Sequence, residues 1–191
     1  MPTTTDRYDR VAITLHWLIA LALLAQIALG WWMIGIPKEP VGVRAYWFNL
    51  HKSIGIVLGL LVLVRIAWRL THRPPALPAS VPAWQRRAAA ASHAVLYACL
   101  LVMPLAGFLG STFSGFPIRF FGIAFTGWGW KIPALKDFFG LVHLVTAYVF
   151  CGLIALHVAA AVKHLLARDG VFGRMWPAPA PAQRLAPDSA S

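Results

Sequence analysis

The chain is short of acid. Six Asp and Glu residues stand against seventeen Lys and Arg in 191 residues. No Asp or Glu lies in Val11 to Ile36, His51 to Leu70, Ala88 to Phe113 or Phe138 to Leu166. Only 12% of the chain is charged, which argues against a soluble domain, whose surface needs charge. Cysteine is scarce too. Cys99 and Cys151 both fall inside apolar stretches, so a disulfide framework is excluded and packing is their expected role. There is no alternating strand pattern, internal repeat, phosphate-binding loop or nucleic-acid module. A non-redox transporter would need an embedded acid, broken helices or inverted repeats, and none is found.

Long apolar runs are what the chain has instead. It is 59% hydrophobic, with a mean hydropathy of +0.68. Val11 to Ile36 carries no charge and, at about 1.5 Å per residue, outreaches the ~30 Å core of a bilayer. His51 to Leu70 is interrupted only by Lys52 near its start and Arg65 and Arg69 at its end. Ala88 to Phe113 is uncharged, and Phe138 to Leu166 is uncharged until Lys163. Helices satisfy their own backbone in lipid. These runs therefore predict an all-α, integral membrane four-helix bundle, with helices over about 11–36, 51–70, 88–113 and 138–166. A single domain is expected over 1–177, followed by a flexible Pro/Ala-rich tail over 178–191. The first span is too long for a signal peptide, is preceded by mixed charge (Asp6, Arg7, Asp9, Arg10) and lacks a small-residue cleavage site.

Orientation follows from the cations. Eleven of the seventeen fall on the side holding both termini and the loop near residues 70–90. Both termini are thus expected in the cytoplasm. The other six, Lys38, Arg44, Lys52, Arg119, Lys131 and Lys136, face only Glu39 and Asp137 on the outer side. Trp31, Trp32, Trp47, Trp128 and Trp130 fall near that outer interface.

Six of the seven histidines lie in or at the ends of these helices, where ionisable groups are costly and generally functional; His72 is in a loop. His143 and His157 are fourteen residues apart, only ~40° short of four full turns, so they share a face about 21 Å apart along the axis. His51 begins the second helix level with His143. His16 and His93 both lie at the level of His157. The bundle offers an outer pair, His51 with His143, and an inner pair, His157 with His16 or His93. Zinc would want a compact cluster of three or four ligands, usually with Cys or carboxylate. Paired imidazoles on facing helices suit two haem groups in the bundle core, one in each leaflet. Arg65 and Arg69 end the second helix where they can pair with propionates of the inner haem.

At this level of detail the chain resembles the bacterial cytochrome b561 family, from about Tyr8 to Pro177. The resemblance is carried by "RYDRVAITLHWLIA", "NLHKSIGIVLGLLVLVRIAWRL", "SHAVLYACLLVMPLAGFLGS" and "HLVTAYVFCGLIALHVAAAVKHLLARDGVFGRMWP". It is similar to the four-helix di-haem type described as superoxide:ubiquinone oxidoreductase. The resemblance implies two haem b, the inner held by His16 and His157 and the outer by His51 and His143. It assigns His164, with Lys163, Arg69 and His93 nearby, to a quinone end. The chain departs from the pattern at Leu165, where the family often has a second polar or basic residue.

Two functions are consistent with this. In the first, an enzyme of the bacterial inner membrane oxidises superoxide on the periplasmic side and reduces ubiquinone. Lys38, Arg44, Lys52, Arg119, Lys131 and Lys136 would steer the anion. In the second, the chain is an electron-transfer subunit linking quinone to a periplasmic redox partner, such as a hydrogenase or dehydrogenase. Membrane lipid is a partner in both, and nucleic acid in neither.

Overall fold

A computed structural model describes residues 7–40, 42–78 and 81–177; the tail expected over 178–191 lies outside them. Four helices carry the fold: α1 (Arg10–Ile34), α2 (Val43–Thr71), α3 (Ala83–Thr112) and α4 (Pro133–Ala167). Each is long and apolar enough to cross a membrane, yet only 6–17% of its most apolar stretch is buried within the protein. Side chains that avoid water and are not covered by protein must face lipid. The chain is an integral membrane four-helix bundle, as the apolar runs predict.

All four helices begin before their apolar runs, α1 by a single residue. α2 starts at Val43, so Arg44 lies inside it, and α4 starts at Pro133, with Lys136 and Asp137 in its first turns. Polar side chains at helix ends reach out of the apolar layer and need not end the helix. Pro133 sits at the start of α4, where its missing N–H is harmless.

The helices do not pack evenly. α1 packs on α2, α2 on α3, and α3 most extensively on α4, while α4 stands away from α1 and α2. A small core of Ile19, Leu58 and Val62, joined by Ala22, Ile54, Leu61, Ile66 and Leu100, fastens the first three helices. Cys99 is buried and Cys151 half-buried, both unpaired. What bridges the gap to α4 is a set of imidazole rings.

Both ends of the bundle are tied by irregular chain. Between α3 and α4 lies a feature absent from the expectation of an all-helical chain, an antiparallel hairpin of β1 (Ile118–Phe120) and β2 (Ile123–Phe125). Its two turn residues, Phe121 and Gly122, both have positive φ (45° and 91°), as a tight two-residue hairpin turn requires. Buried Ser53 of α2 accepts the Phe121 N–H at 2.9 Å and donates to the Asn49 carbonyl at 2.8 Å. At the other end, the segment after α4 folds back under α1. Trp17 Nε1 donates to the Met175 carbonyl (2.7 Å), Arg7 to the Trp176 carbonyl (2.6 Å), and the Tyr8 amide to the Arg174 carbonyl (3.3 Å).

Candidate functional site

Near the end of the bundle that carries the hairpin, His51 of α2 faces His143 of α4 with ring centres 6.3 Å apart. Nearer the termini, His16 of α1 faces His157 of α4 at 6.2 Å, and His93 of α3 lies 5.5 Å from the same His157. The fourteen-residue spacing on α4 thus presents two histidines to two separate sets of partners. No three His, Cys, Asp or Glu side chains among the described residues converge into a compact metal cluster.

Ring spacing distinguishes the pairs. Two imidazoles bonded to one metal from opposite sides, with bonds of about 2.0–2.1 Å each, hold their ring centres about 6.3–6.5 Å apart. His51–His143 at 6.3 Å meets this and His16–His157 at 6.2 Å falls just short of it, whereas His93–His157 at 5.5 Å is far too close.

The surroundings fit a flat ligand held by two axial nitrogens. His143 Nδ1 lies 3.0 Å from the Met103 carbonyl. A carbonyl can only accept, so Nδ1 carries the proton and Nε2 is left as a lone-pair donor. Gly107, one turn further along α3, makes room for that ring: a Cβ there would lie 3.2 Å from both Cε1 and Nδ1 of His143. Gly30 does the same for His51, at 3.2 Å from its Cε1. His51 Nδ1 is itself buried with no hydrogen-bond partner among the described residues. The residues present therefore fit a flat metal-bearing group held between imidazoles at each of the two levels.

Beside the inner rings the charge is positive. Arg65 donates to the Ala12 carbonyl at 2.9 Å and passes 3.5 Å from His16 Nδ1, a long contact for a hydrogen bond. The guanidinium groups of Arg65 and Arg69 both lie over Tyr97, at 6.0 and 5.6 Å. Tyr97 is one turn from His93 on α3 and was not singled out from the sequence. It holds the two arginines together beside the inner histidines.

The end of α4 contains a second unforeseen residue. His164 Nδ1 lies 2.5 Å from Asp169 Oδ2, and Asp169 Oδ1 accepts the Val171 amide at 3.1 Å. The His164 hydrogen bond holds the Asp169 carboxyl below its ordinary range, against the upward push of burial and with help from Val171. Next to it, Leu165, Phe172, Gly173, Trp176 and Arg7 line an apolar cleft of about 470 Å³. That is within the usual size of a small-ligand site. Lys163 is exposed.

The six cations expected on the outer side are not equivalent. Arg44 is turned back onto the carbonyls of Ile34 (3.2 Å) and Ile36, closing the end of α1. Lys136 pairs with Asp137 at 3.1 Å. Lys38, Arg119 and Lys131 are exposed, and Lys52 is half-buried next to His51.

A family model described as prokaryotic cytochrome b561 matches residues 7–178. Cytochrome b561 homolog 2 of Escherichia coli K12 is 33% identical over 184 residues, spanning 90% of this chain and 92% of that protein. Cytochrome b561 homolog 1 of the same organism is 27% identical over 179 residues, spanning 90% and 98%.

Proposed function

This chain belongs to the prokaryotic cytochrome b561 family, and we propose that it carries electrons from superoxide at the outer face to ubiquinone at the inner. It is a multi-pass bacterial membrane protein of b-type electron transfer. In the finer reading, His51 and His143 hold an outer haem, and His16 and His157 an inner one. The observation that carries this is the pair of ring spacings, 6.3 and 6.2 Å, presented at two depths by one helix. Bound haem b supplies reversible one-electron storage at each pair.

The chain's own residues then have these tasks. Lys38, Lys52, Arg119 and Lys131 raise the local concentration of a small anion. Two superoxide anions each give up one electron and leave as O2; one quinone takes both electrons and two protons. Arg65 and Arg69, set by Tyr97, neutralise propionates at the inner haem. His164 passes a proton from Nε2 to a quinone oxygen while Nδ1 stays on Asp169 Oδ2. Quinone occupies the adjoining cleft, with both termini on the cytoplasmic side. His93 supports the inner site without ligating.

The test counts haem and follows its reduction in detergent-purified protein. Two haems are expected in the wild type, one in His51→Ala and one in His16→Ala, with two retained in His93→Ala. Mixing with superoxide should reduce the haems, dismutase should abolish this, and ubiquinone should reoxidise them. Haems that stay oxidised under superoxide sink the proposed donor, and loss of haem in His93→Ala but not His16→Ala reverses the inner assignment.

A further inference from the structure

We propose that Gln26, buried in the middle of α1, is the positioning residue of His51, its side-chain oxygen accepting the proton of His51 Nδ1. The inference rests on the outer pair being a haem site and goes beyond it by naming what sets that site's electron-donor strength.

Gln26 is only 8% exposed in a helix whose other buried residues are Ile13, Ile19 and Met33. A carboxamide in that setting needs partners. Half of its need is met: Nε2 donates to the His51 carbonyl at 2.5 Å. The approach is possible because Gly55, whose Cβ would lie 3.4 Å from Nε2, leaves the space. The carbonyl can only accept, so it fixes which end of the amide faces it and directs Oε1 elsewhere. Gln26 Oε1 is then buried with no hydrogen-bond partner among the described residues, and so is His51 Nδ1. One is an acceptor lacking a donor. The other is the nitrogen that must carry the proton if Nε2 is to face His143. Both belong to two residues that the Nε2 bond already holds together, and the proposal is that the amide oxygen takes the Nδ1 proton directly or through one ordered water.

The opposite ligand follows the same plan with its bond already made. His143 lies against Met103 and Gly107 of α3, four residues apart; Met103 supplies the acceptor and Gly107 the room. His51 lies against Gln26 and Gly30 of α1, also four residues apart, and Gly30 supplies the room. Gln26 stands where the acceptor belongs. The difference is that its acceptor is a side chain, which substitution can remove. A hydrogen bond to the far nitrogen of a ligating imidazole fixes its tautomer and raises its basicity, and such partners are commonly worth 10–100-fold in metal affinity.

The experiment uses full-length holoprotein with Gln26→Leu and Gln26→Glu beside wild type and His51→Ala. It reads haem content and the reduction potential of each haem by spectroelectrochemistry. Gln26→Leu should raise the potential of one haem only, the one lost in His51→Ala, and weaken its retention 10–100-fold. Gln26→Glu, a stronger acceptor of the same length, should shift the same haem the opposite way, to a potential below the wild-type value. Unchanged potentials and retention in Gln26→Leu would mean that backbone serves His51, as at Met103, and overturn the proposal. Should Gln26→Leu fail to accumulate, an unshifted potential in Gln26→Glu overturns it equally. If instead His51→Ala keeps both haems, the outer site itself has been misassigned, a separate failure visible in the same preparation.

Discussion

His164 and Asp169 meet at 2.5 Å across the left-handed turn that ends α4, where Arg168 adopts φ 51°. The turn brings back a carboxylate that a continuing helix would have carried away from the imidazole. With Nδ1–H held on Asp169, Nε2 faces outward as the nitrogen that takes up and releases a proton. Asp169→Asn keeps the shape and removes the charge. It should slow haem reoxidation by quinone about tenfold, with haem content unchanged. The Asp169 carboxyl sits below its ordinary range because of this hydrogen bond. The contact is therefore at full strength above about pH 3.9 and is lost only as pH falls through the lower folded value. The gap between wild type and Asp169→Asn should narrow as pH falls below about pH 4. A gap undiminished at about pH 3 would mean that the carboxylate charge is not what matters.

Asp9 caps α1 and also reaches α2. It accepts the Ala12 amide at 2.8 Å and the Trp68 indole at 3.1 and 3.2 Å. Burial pushes its carboxyl up, but the Ala12 and Trp68 bonds together outweigh that and leave it below the ordinary value. Asp9→Ala should cost about 1–2 kcal/mol near pH 7, the usual worth of an N-cap. Because the folded value is depressed, that penalty is present above about pH 3.9 and shrinks toward pH 3. Thermal unfolding followed by circular dichroism in detergent measures both parts, and equal penalties at pH 7 and pH 3 would count against the carboxylate's role.

The helices and the histidine pairs were legible in the sequence because their signals are local. A charge-free run is long enough to span a bilayer or it is not, and the His143–His157 spacing puts both on one face whatever the partners do. Sequence leaves the partner of His157 open between His16 and His93, since depth along a helix says nothing about which neighbour it faces. What could not be read depends on turns and on contacts between helices. The hairpin is two three-residue strands, too short for an alternating pattern to register, and its turn needs Phe121 in a conformation aromatic residues rarely take. Asp169 reads as a loop acid until the Arg168 turn is seen. Gln26 carries no signal in the sequence for the same reason, since its partner is a backbone carbonyl on another helix.

Gly107 offers a direct test of how closely α3 must approach His143. A Cβ would lie 3.2 Å from two ring atoms, and the ring is tethered 3.0 Å from the Met103 carbonyl, so it cannot retreat without losing that bond. Gly107→Ala should cost about 1–3 kcal/mol, as overpacking does, and lower the occupancy of the outer haem. Gly140→Ala on α4 is the control, because its Cβ meets nothing within 4 Å. Equal haem retention in the two variants would show that the ring has room to move.

Ser53 links α2, close to His51, to the hairpin. Fully buried two residues from His51, its hydroxyl is the point at which the hairpin turn is fastened to α2. Ser53→Ala removes only the hydroxyl and leaves the Phe121 N–H without its acceptor, at a cost of about 1–3 kcal/mol. That loss falls on the hairpin, since the four helices are held elsewhere by the Ile19–Leu58–Val62 cluster and by α3 on α4. Hydrogen exchange at Phe121 should quicken at least tenfold, as should chymotryptic cleavage after Phe120 or Phe121, while the helical signal and the inner haem are unchanged. Faster access of external reductants to the outer haem, without a change in its potential, would then identify the hairpin as a cover over that site. If cleavage and exchange stay at wild-type rates, the hairpin is held by its packing on α2, and the Ser53 bond contributes little.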